Sequence, residues 1–416
     1  MRTILISAYG CEPLKGSEQG VGWNWILQMA KNNILHVITR ANNQSAIESH
    51  LPDNLSENIT FHYYDTNSFI SSFKNKAKGL YFYYFCWQVG IVPLIRRLMQ
   101  EHRFDYSMHL TFGSMWMPTL LPFFKVPFIW GPIGGGDGIP RSFLCSLPAK
   151  QRFIQWLRYL LKYPNFINPF FIFTVYRAIA IIARTNITRD YIPSFFRKKV
   201  NVLLETSIES EIFDYHHQFD NNNNCIKLII TGRLVPFKNV ITAIRSIGHL
   251  PVKYDVSLTI IGSGPDKEKI EKEIKINNLS DRVKMIPEMP RAGVLNELAK
   301  SDIYLCPSLR EGGSWALMEA MAVGLPVICL KWSGMEIITD DESAIRLPVT
   351  NPVQFPKDMA AAICKLIDNP ALRQRMGAAG RERIRSLFNW SAKGEFIENL
   401  FDELDKKCQK QKYLKY

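Results

Sequence analysis

The 416-residue sequence contains no C-x-x-C pair: its eight cysteines are scattered from Cys11 to Cys408. That spacing excludes a zinc ribbon, argues against a disulfide framework, and leads to the expectation of a reducing compartment. No uninterrupted apolar run reaches the roughly 20 residues that a membrane-spanning helix needs. The two nearest stretches, Leu80 to Ile95 and Phe166 to Ala183, are interrupted by Gln88 and Pro93, and by Asn168, Pro169 and Arg177. The apolar run after Met1 is too short for a signal peptide and reads as a first strand, so a cytoplasmic location is expected. Repeats at solenoid spacing and recognised nucleic-acid-binding motifs are also missing. Acidic residues are scarce in one half only. Residues 1–200 hold 10 Asp+Glu against 22 Lys+Arg, whereas the rest of the chain is nearly balanced, so almost all of the net charge of +13 lies in the first half.

A basic excess of that size suits anionic partners such as phosphates or lipid headgroups. The aromatic stretch from Leu80 to Ile95 is flanked by Lys74, Lys76, Lys78, Arg96 and Arg97, which makes it a candidate for lying on an anionic membrane surface, peripherally on the inner face of the cell membrane. An aromatic helix packed in the core is the alternative.

What is present is a globular composition, 47% hydrophobic, in a chain long enough for two domains. Short apolar runs alternate with longer helical patterns: Ile4 to Ser7, Leu35 to Thr39, Pro127 to Trp130 and Ala178 to Ala183, then Ile226 to Thr231, Val256 to Ile261, Val283 to Ile286, Ile303 to Pro307 and Val327 to Leu330. This is α/β alternation with two parallel sheets. The four consecutive asparagines before Cys225 mark a linker or exposed loop. The expected division is residues 1–213, a linker at 214–225, a second domain at 226–390, and a helix with a charged tail at 391–416.

The most informative stretch runs from Ser301 to Ile328: a strand, a Gly-containing loop, a helix, a stop at Gly324 and another strand. Open α/β sheets bind ligands where such a loop meets a helix N-terminus, because unpaired N–H groups and the helix dipole favour phosphate. Gly312 and Gly313 would allow close backbone approach there, and Ser314 would cap the helix. Glu311 and Glu319 flank the turn, one in the loop and one on the helix, and can face one cleft; read from spacing alone they are equally well surface charges. Arg233 and Lys238 follow the strand Ile226 to Thr231 and are placed to converge on a diphosphate, Arg through forked hydrogen bonds and Lys as a mobile charge.

The segment Glu311 to Glu319 resembles the E-x7-E signature of retaining glycosyltransferases of family 4, and the continuation Glu-Ala-Met-Ala-Val-Gly-Leu-Pro-Val-Ile to Ile328 extends the match. The resemblance implies the GT-B fold, two Rossmann-like α/β domains facing across a cleft, with the C-terminal helix packing back on the first. It further implies a nucleotide-diphosphate sugar as donor, UDP- or GDP-linked, a lipid-linked or saccharide acceptor, no other cofactor, no metal and no nucleic acid. Glu311, Arg233 and Lys238 take the catalytic roles, and Gly312, Gly313, Ser314 and Glu319 contact the donor. Met289, in a segment resembling the one that borders the base, is a further donor contact. Gly262 and Gly264 read as turn residues. In the first half, Gly20 and Gly22 match a Gly-rich loop opening a helix and would turn their N–H groups toward the donor phosphates. Many members of the family carry a His just after the strand ending at Trp130, where this chain has Gly131 and Pro132. Gly134, Gly135, Gly136 and Asp137 are therefore the candidates for sugar or acceptor contacts, and His109, at an earlier strand-to-loop junction, is a weaker one that reads better as structural. The rival readings are an epimerase or phosphorylase of the same fold, and a non-catalytic module binding a nucleotide sugar or a polyanion.

Overall fold

The computed structural model describes residues 1–72, 79–161, 168–217 and 225–413. Two parallel sheets organise the chain. The first contains β1 (Thr3–Ala8), β2 (Ile34–Arg40), β3 (Ile59–Tyr64), β4 (Tyr106–Thr111), β5 (Phe128–Ile133), β6 (Ala178–Ala183) and β7 (Val200–Val202), in the order β3-β2-β1-β4-β5-β6-β7. The second contains β8 (Ile226–Thr231), β9 (Val256–Ile261), β10 (Val283–Ile286), β11 (Ile303–Cys306), β12 (Val327–Leu330) and β13 (Ala344–Leu347), in the order β10-β9-β8-β11-β12-β13. Both wind alike: the chain starts centrally, moves outward on one side, then returns to the other flank of its first strand. β4 and β5 are buried at every residue, as expected of parallel strands covered by helices on both faces. The carboxyl ends of β1 and β4, and of β8 and β11, are thus the switch points at which such sheets bind ligands.

The two compact units are discontinuous in sequence. One comprises residues 1–136, 161–205 and 390–416, the other 137–160 and 206–389. The last helix, Trp390–Tyr413, belongs to the first unit for physical reasons visible in its contacts. Ile397, Leu400, Phe401 and Leu404 are buried along it, and Arg2 reaches Glu398 at 3.1 Å, Asp405 at 2.7 Å and also Asp402. The helix runs past Leu404, where the apolar spacing stops, to Tyr413. Residues 206–217 pack within the second unit, where the Arg381 guanidinium donates to the carbonyls of Phe213 and Tyr215. Most of the asparagine-rich segment, 218–224, lies outside the described residues, as do Lys74, Lys76 and Lys78.

The aromatic stretch after Gly79 forms the helix Leu80–Gly90, and the core reading holds for one of its faces. Tyr83, Tyr84 and Trp87 are fully buried around Tyr9, whereas Tyr81, Phe82 and Phe85 remain exposed. The second interrupted stretch divides into the helix Pro169–Arg177 and β6. No helix among the described residues is long and apolar enough to cross a membrane.

Candidate active site

At the switch point of the second sheet, β8 ends at Thr231, and a short turn over Pro236–Lys238 with left-handed Asn239 (φ 53°) leads into the helix Val240–Gly248. This turn directs Lys238 toward the loop after β11, where Nζ meets Glu311 Oε1 at 2.5 Å, with side-chain exposures of only 18% and 8%. The backbone ties the loops together as well, Leu309 N–H donating to the Phe237 carbonyl at 2.7 Å. Two motifs far apart in sequence therefore form one charged pair. Arg233 is different: it is exposed, and among the described residues its guanidinium makes no hydrogen bond or ion pair.

Beyond Glu311 the backbone packs too tightly for side chains. A Cβ on Gly313 would collide with the Thr206 hydroxyl, and one on Gly334 with the Gly312 carbonyl oxygen, while Gly334 N–H donates to the Glu311 carbonyl at 3.0 Å. Ser314 occupies the N-cap position of the helix Trp315–Val323 with extended backbone, but its side chain makes no capping hydrogen bond, which corrects the capping role expected of it. Only its carbonyl serves the helix, accepting from Met318 N–H at 3.1 Å, so the Ser314 side chain leaves the first-turn N–H groups to other acceptors. The helix stops at Gly324, whose φ of 104° suits glycine.

Glu319, inside that helix, is 9% exposed and already partnered. Arg291, at the start of the helix Arg291–Ala299, donates through Nε to Glu319 Oε1 and through Nη2 to Glu209 Oε2, both at 2.9 Å. Burial pushes the Glu319 carboxyl upward and Arg291 pulls it back. Arg291 escaped the sequence reading; its one signal is that it follows, by two residues, the half-buried Met289 of the segment expected to border the base. Tyr304 on β11 was missed too. Its buried hydroxyl lies 3.3 Å from Thr231 Oγ1, and burial holds it well above the ordinary value, with Glu311 and Glu319 both adding to the shift. The electrostatic reach of this one phenol therefore includes both carboxylates.

Asp137 joins the same unit. The Ser333 hydroxyl lies 2.8 Å from Asp137 Oδ1 and against the Glu311 carbonyl oxygen, and Trp332 Nε1–H donates to the Gly138 carbonyl at 2.9 Å. Arg310, beside Glu311, stands 4.7 Å over the Phe237 ring. No group of three or more His, Cys, Asp or Glu among the described residues is placed to hold a metal ion.

The expected contacts in the first unit are placed differently. Gly20 and Gly22 lie within the helix Ser17–Ala30 and not ahead of it; Gly20 is in its first turn, while the N–H of Gly22, one turn further in, points along the helix to the preceding turn. Gly22 is instead a packing contact, since a Cβ there would strike the Gly10 carbonyl. Gly134 N–H donates to the Gly113 carbonyl at 2.6 Å, and the Gly135 carbonyl accepts from Trp116 Nε1–H at 2.9 Å. Gly136 presses on the Thr188 backbone, so a Cβ at this position would also clash. His109 is buried in β4 at 2% exposure, with Nε2 3.4 Å from the Phe112 carbonyl; burial lowers its pKa to about 4, which makes it a neutral core residue and not a sugar contact.

With this geometry in view, residues 212–383 match the family model for glycosyl transferases of group 1. Among curated proteins, the lipopolysaccharide core biosynthesis glycosyltransferase LpsD of Rhizobium meliloti is 29% identical over 172 residues, 41% of this chain and 48% of that protein. The chain spans about half the length of the curated relatives it matches. Two solved structures are similar over nearly the whole chain. Sucrose-phosphate synthase from Thermosynechococcus elongatus has a TM-score of 0.65 at 16% identity, covering 98% of this chain and 100% of its own. The Anabaena protein HepE, solved in complex with UDP, has a TM-score of 0.58 at 13% identity, with coverages of 97% and 100%. The fold they share with this chain is GT-B, two Rossmann-like parallel-sheet domains.

Proposed function

We propose, from the premise that residues 212–383 are a group 1 glycosyltransferase domain, that this protein moves a sugar from a nucleotide-diphosphate donor to a hydroxyl acceptor with retention of anomeric configuration. The observation that carries the reading is the Lys238–Glu311 pair at the β8/β11 switch point, with the exposed Arg233 two residues after the end of β8. Arg233 and Lys238, with the start of the helix Trp315–Val323, stabilise the charge that grows on the diphosphate as the bond from the anomeric carbon to the phosphate oxygen breaks. Glu311 contacts the donor sugar and orients that carbon. Glu319 accepts from the ribose hydroxyls through the oxygen that Arg291 leaves open. The acceptor hydroxyl attacks from the face the diphosphate leaves, the new glycosidic bond forms, and the hydroxyl proton passes to a phosphate oxygen of the departing nucleotide.

The UDP complex of a protein with the same fold supports a UDP- or GDP-linked donor, and LpsD supports an acceptor in bacterial surface polysaccharide or glycolipid assembly. The acceptor is lipid-linked or a saccharide, and the reaction needs no metal. Incubating purified protein with nucleotide sugars and identifying the products tests this directly: a new glycoside supports transfer, whereas epimerised donor or sugar phosphate overturns it. Arg233→Ala and Lys238→Ala are expected to lower kcat by about 10² to 10³ with unchanged folding, as for removal of a preorganised charge-stabilising donor. Near-wild-type turnover of either variant at saturating donor would remove this site from the mechanism.

A further inference from the structure

The helix Ala149–Leu161 is inside out. Its protein-facing side is polar: Gln155 is 7% exposed, Gln151 and Tyr159 are half-buried on the same face, and the Tyr159 hydroxyl donates to the Ile139 carbonyl. The outward side carries Phe153, Ile154, Trp156, Leu157 and Leu160, each at least 40% exposed, with Phe153 at 61% and Trp156 at 51%. Folding in water places the apolar stripe of a surface helix on the core, because burying each large apolar side chain is worth about 1.5–3 kcal/mol. A stripe turned outward forgoes that gain unless something else covers it.

Charge identifies what covers it. The helix has no acidic residue, while Lys150, Arg152 and Arg158 are all exposed around the apolar face. A tryptophan and phenylalanine on the outer face with cations beside them make up the pattern of a helix lying in a lipid interface. We infer that the outward face of the helix Ala149–Leu161 is a docking surface for an anionic phospholipid membrane, with Phe153 and Trp156 in the headgroup–acyl boundary and Lys150, Arg152 and Arg158 among the headgroups. The helix is also tied to the reaction site of its own unit: the Tyr159 hydroxyl meets the Ile139 carbonyl, next to Gly138 and Asp137, which Trp332 and Ser333 hold beside the Glu311 carbonyl. Docking would hold the Lys238–Glu311 pair near the lipid surface, where a lipid-linked acceptor presents its hydroxyl; that consequence rests on the proposed function, while the docking itself does not.

Co-sedimentation of the full chain with phosphatidylglycerol-containing vesicles, against pure phosphatidylcholine vesicles, reads the docking without any donor or acceptor. The wild type is expected to pellet with the anionic vesicles and much less with the neutral ones. Phe153→Ser with Trp156→Ser should lower the partition coefficient roughly tenfold or more while leaving the thermal melt unchanged, since both side chains are exposed. Lys150→Glu with Arg152→Glu should abolish the preference for anionic lipid. The inference is overturned if the wild type stays in the supernatant, if the Ser variant partitions as the wild type does, or if the wild type is a dimer that the Ser variant dissociates with no change on vesicles. Failure of the transferase reading appears separately, as an absence of glycoside product with vesicle binding intact.

Discussion

Lys238 and Arg233 carry the same formal charge, five positions apart, in opposite circumstances. The ammonium is held against a buried carboxylate and the guanidinium is left uncommitted in solvent. Under the proposed function a single pyrophosphate engages both, one by exchange of partners and the other by capture. The neutral histidines make a different kind of prediction. Burial lowers His109, and likewise His36, to about 4, below the ordinary 6.5. As pH falls below about 6.5 the unfolded chain takes up these protons first, so folded stability is lost progressively between pH 6.5 and 4, by up to about 3 kcal/mol for a fully buried imidazole. Thermal melts across that range should show a falling midpoint, and His109→Gln should flatten the decline; a midpoint insensitive to pH in both proteins would refute the assignment. The sequence places His109 only at a strand-to-loop junction, whereas its burial inside β4 depends on Ser7 and Trp130 flanking it in register.

The turn from Glu311 into the helix Trp315–Val323 depends on two backbone approaches of unequal tolerance. At Gly334 the obstacle to a Cβ is a backbone carbonyl oxygen, whereas at Gly313 it is a side chain, that of the buried Thr206, whose Cβ at 2.7 Å has to shift. Gly334→Ala should therefore destabilise the fold more than Gly313→Ala, within the roughly 1–3 kcal/mol typical of overpacking, and should reduce turnover further by displacing the Glu311 carbonyl. Chemical denaturation of the two variants orders them, and equal midpoints would show that the loop relaxes. Nine strands were readable as apolar runs, but β3, β4, β7 and β13 were not; β4 is central and alternates with the buried polar Ser107 and His109, while the other three lie at sheet edges. An edge strand is covered on fewer sides and keeps polar residues such as His62, Asn201 and Arg346, so no continuous apolar run betrays it.

Neither unit is a contiguous piece of chain, which ties the stability of the first to the far end of the sequence. Phe401 is fully buried, with its ring 5.2 Å from Tyr106 and under the Arg2 guanidinium. Phe401→Ala is expected to cost about 3–5 kcal/mol, as for other buried aromatic truncations. Arg2→Ala should cost much less, about 1 kcal/mol, because two of its three carboxylate partners are well exposed to solvent. Differential scanning calorimetry of the full chain should show the Phe401 variant lowering one unfolding transition and sparing the other; a uniform shift of both would mean the units melt as one.

Local order carries its own signal. The α/β alternation, the turn from Glu311 to Glu319 and the R-x4-K pair each lie within a short window, where spacing, glycine and cap residues express what the backbone must do, so they could be read directly. Other features depended on contacts between distant positions: Arg291 bridging Glu319 and Glu209, and Asp137 beside Ser333; the last helix was expected on the first domain, but its ion pairs with Arg2 were not. The helix Ala149–Leu161 marks the boundary between the two. Its periodicity separates an apolar face from a polar one in the sequence, but periodicity carries no information about which face meets the protein, and folding the chain turned the apolar one outward.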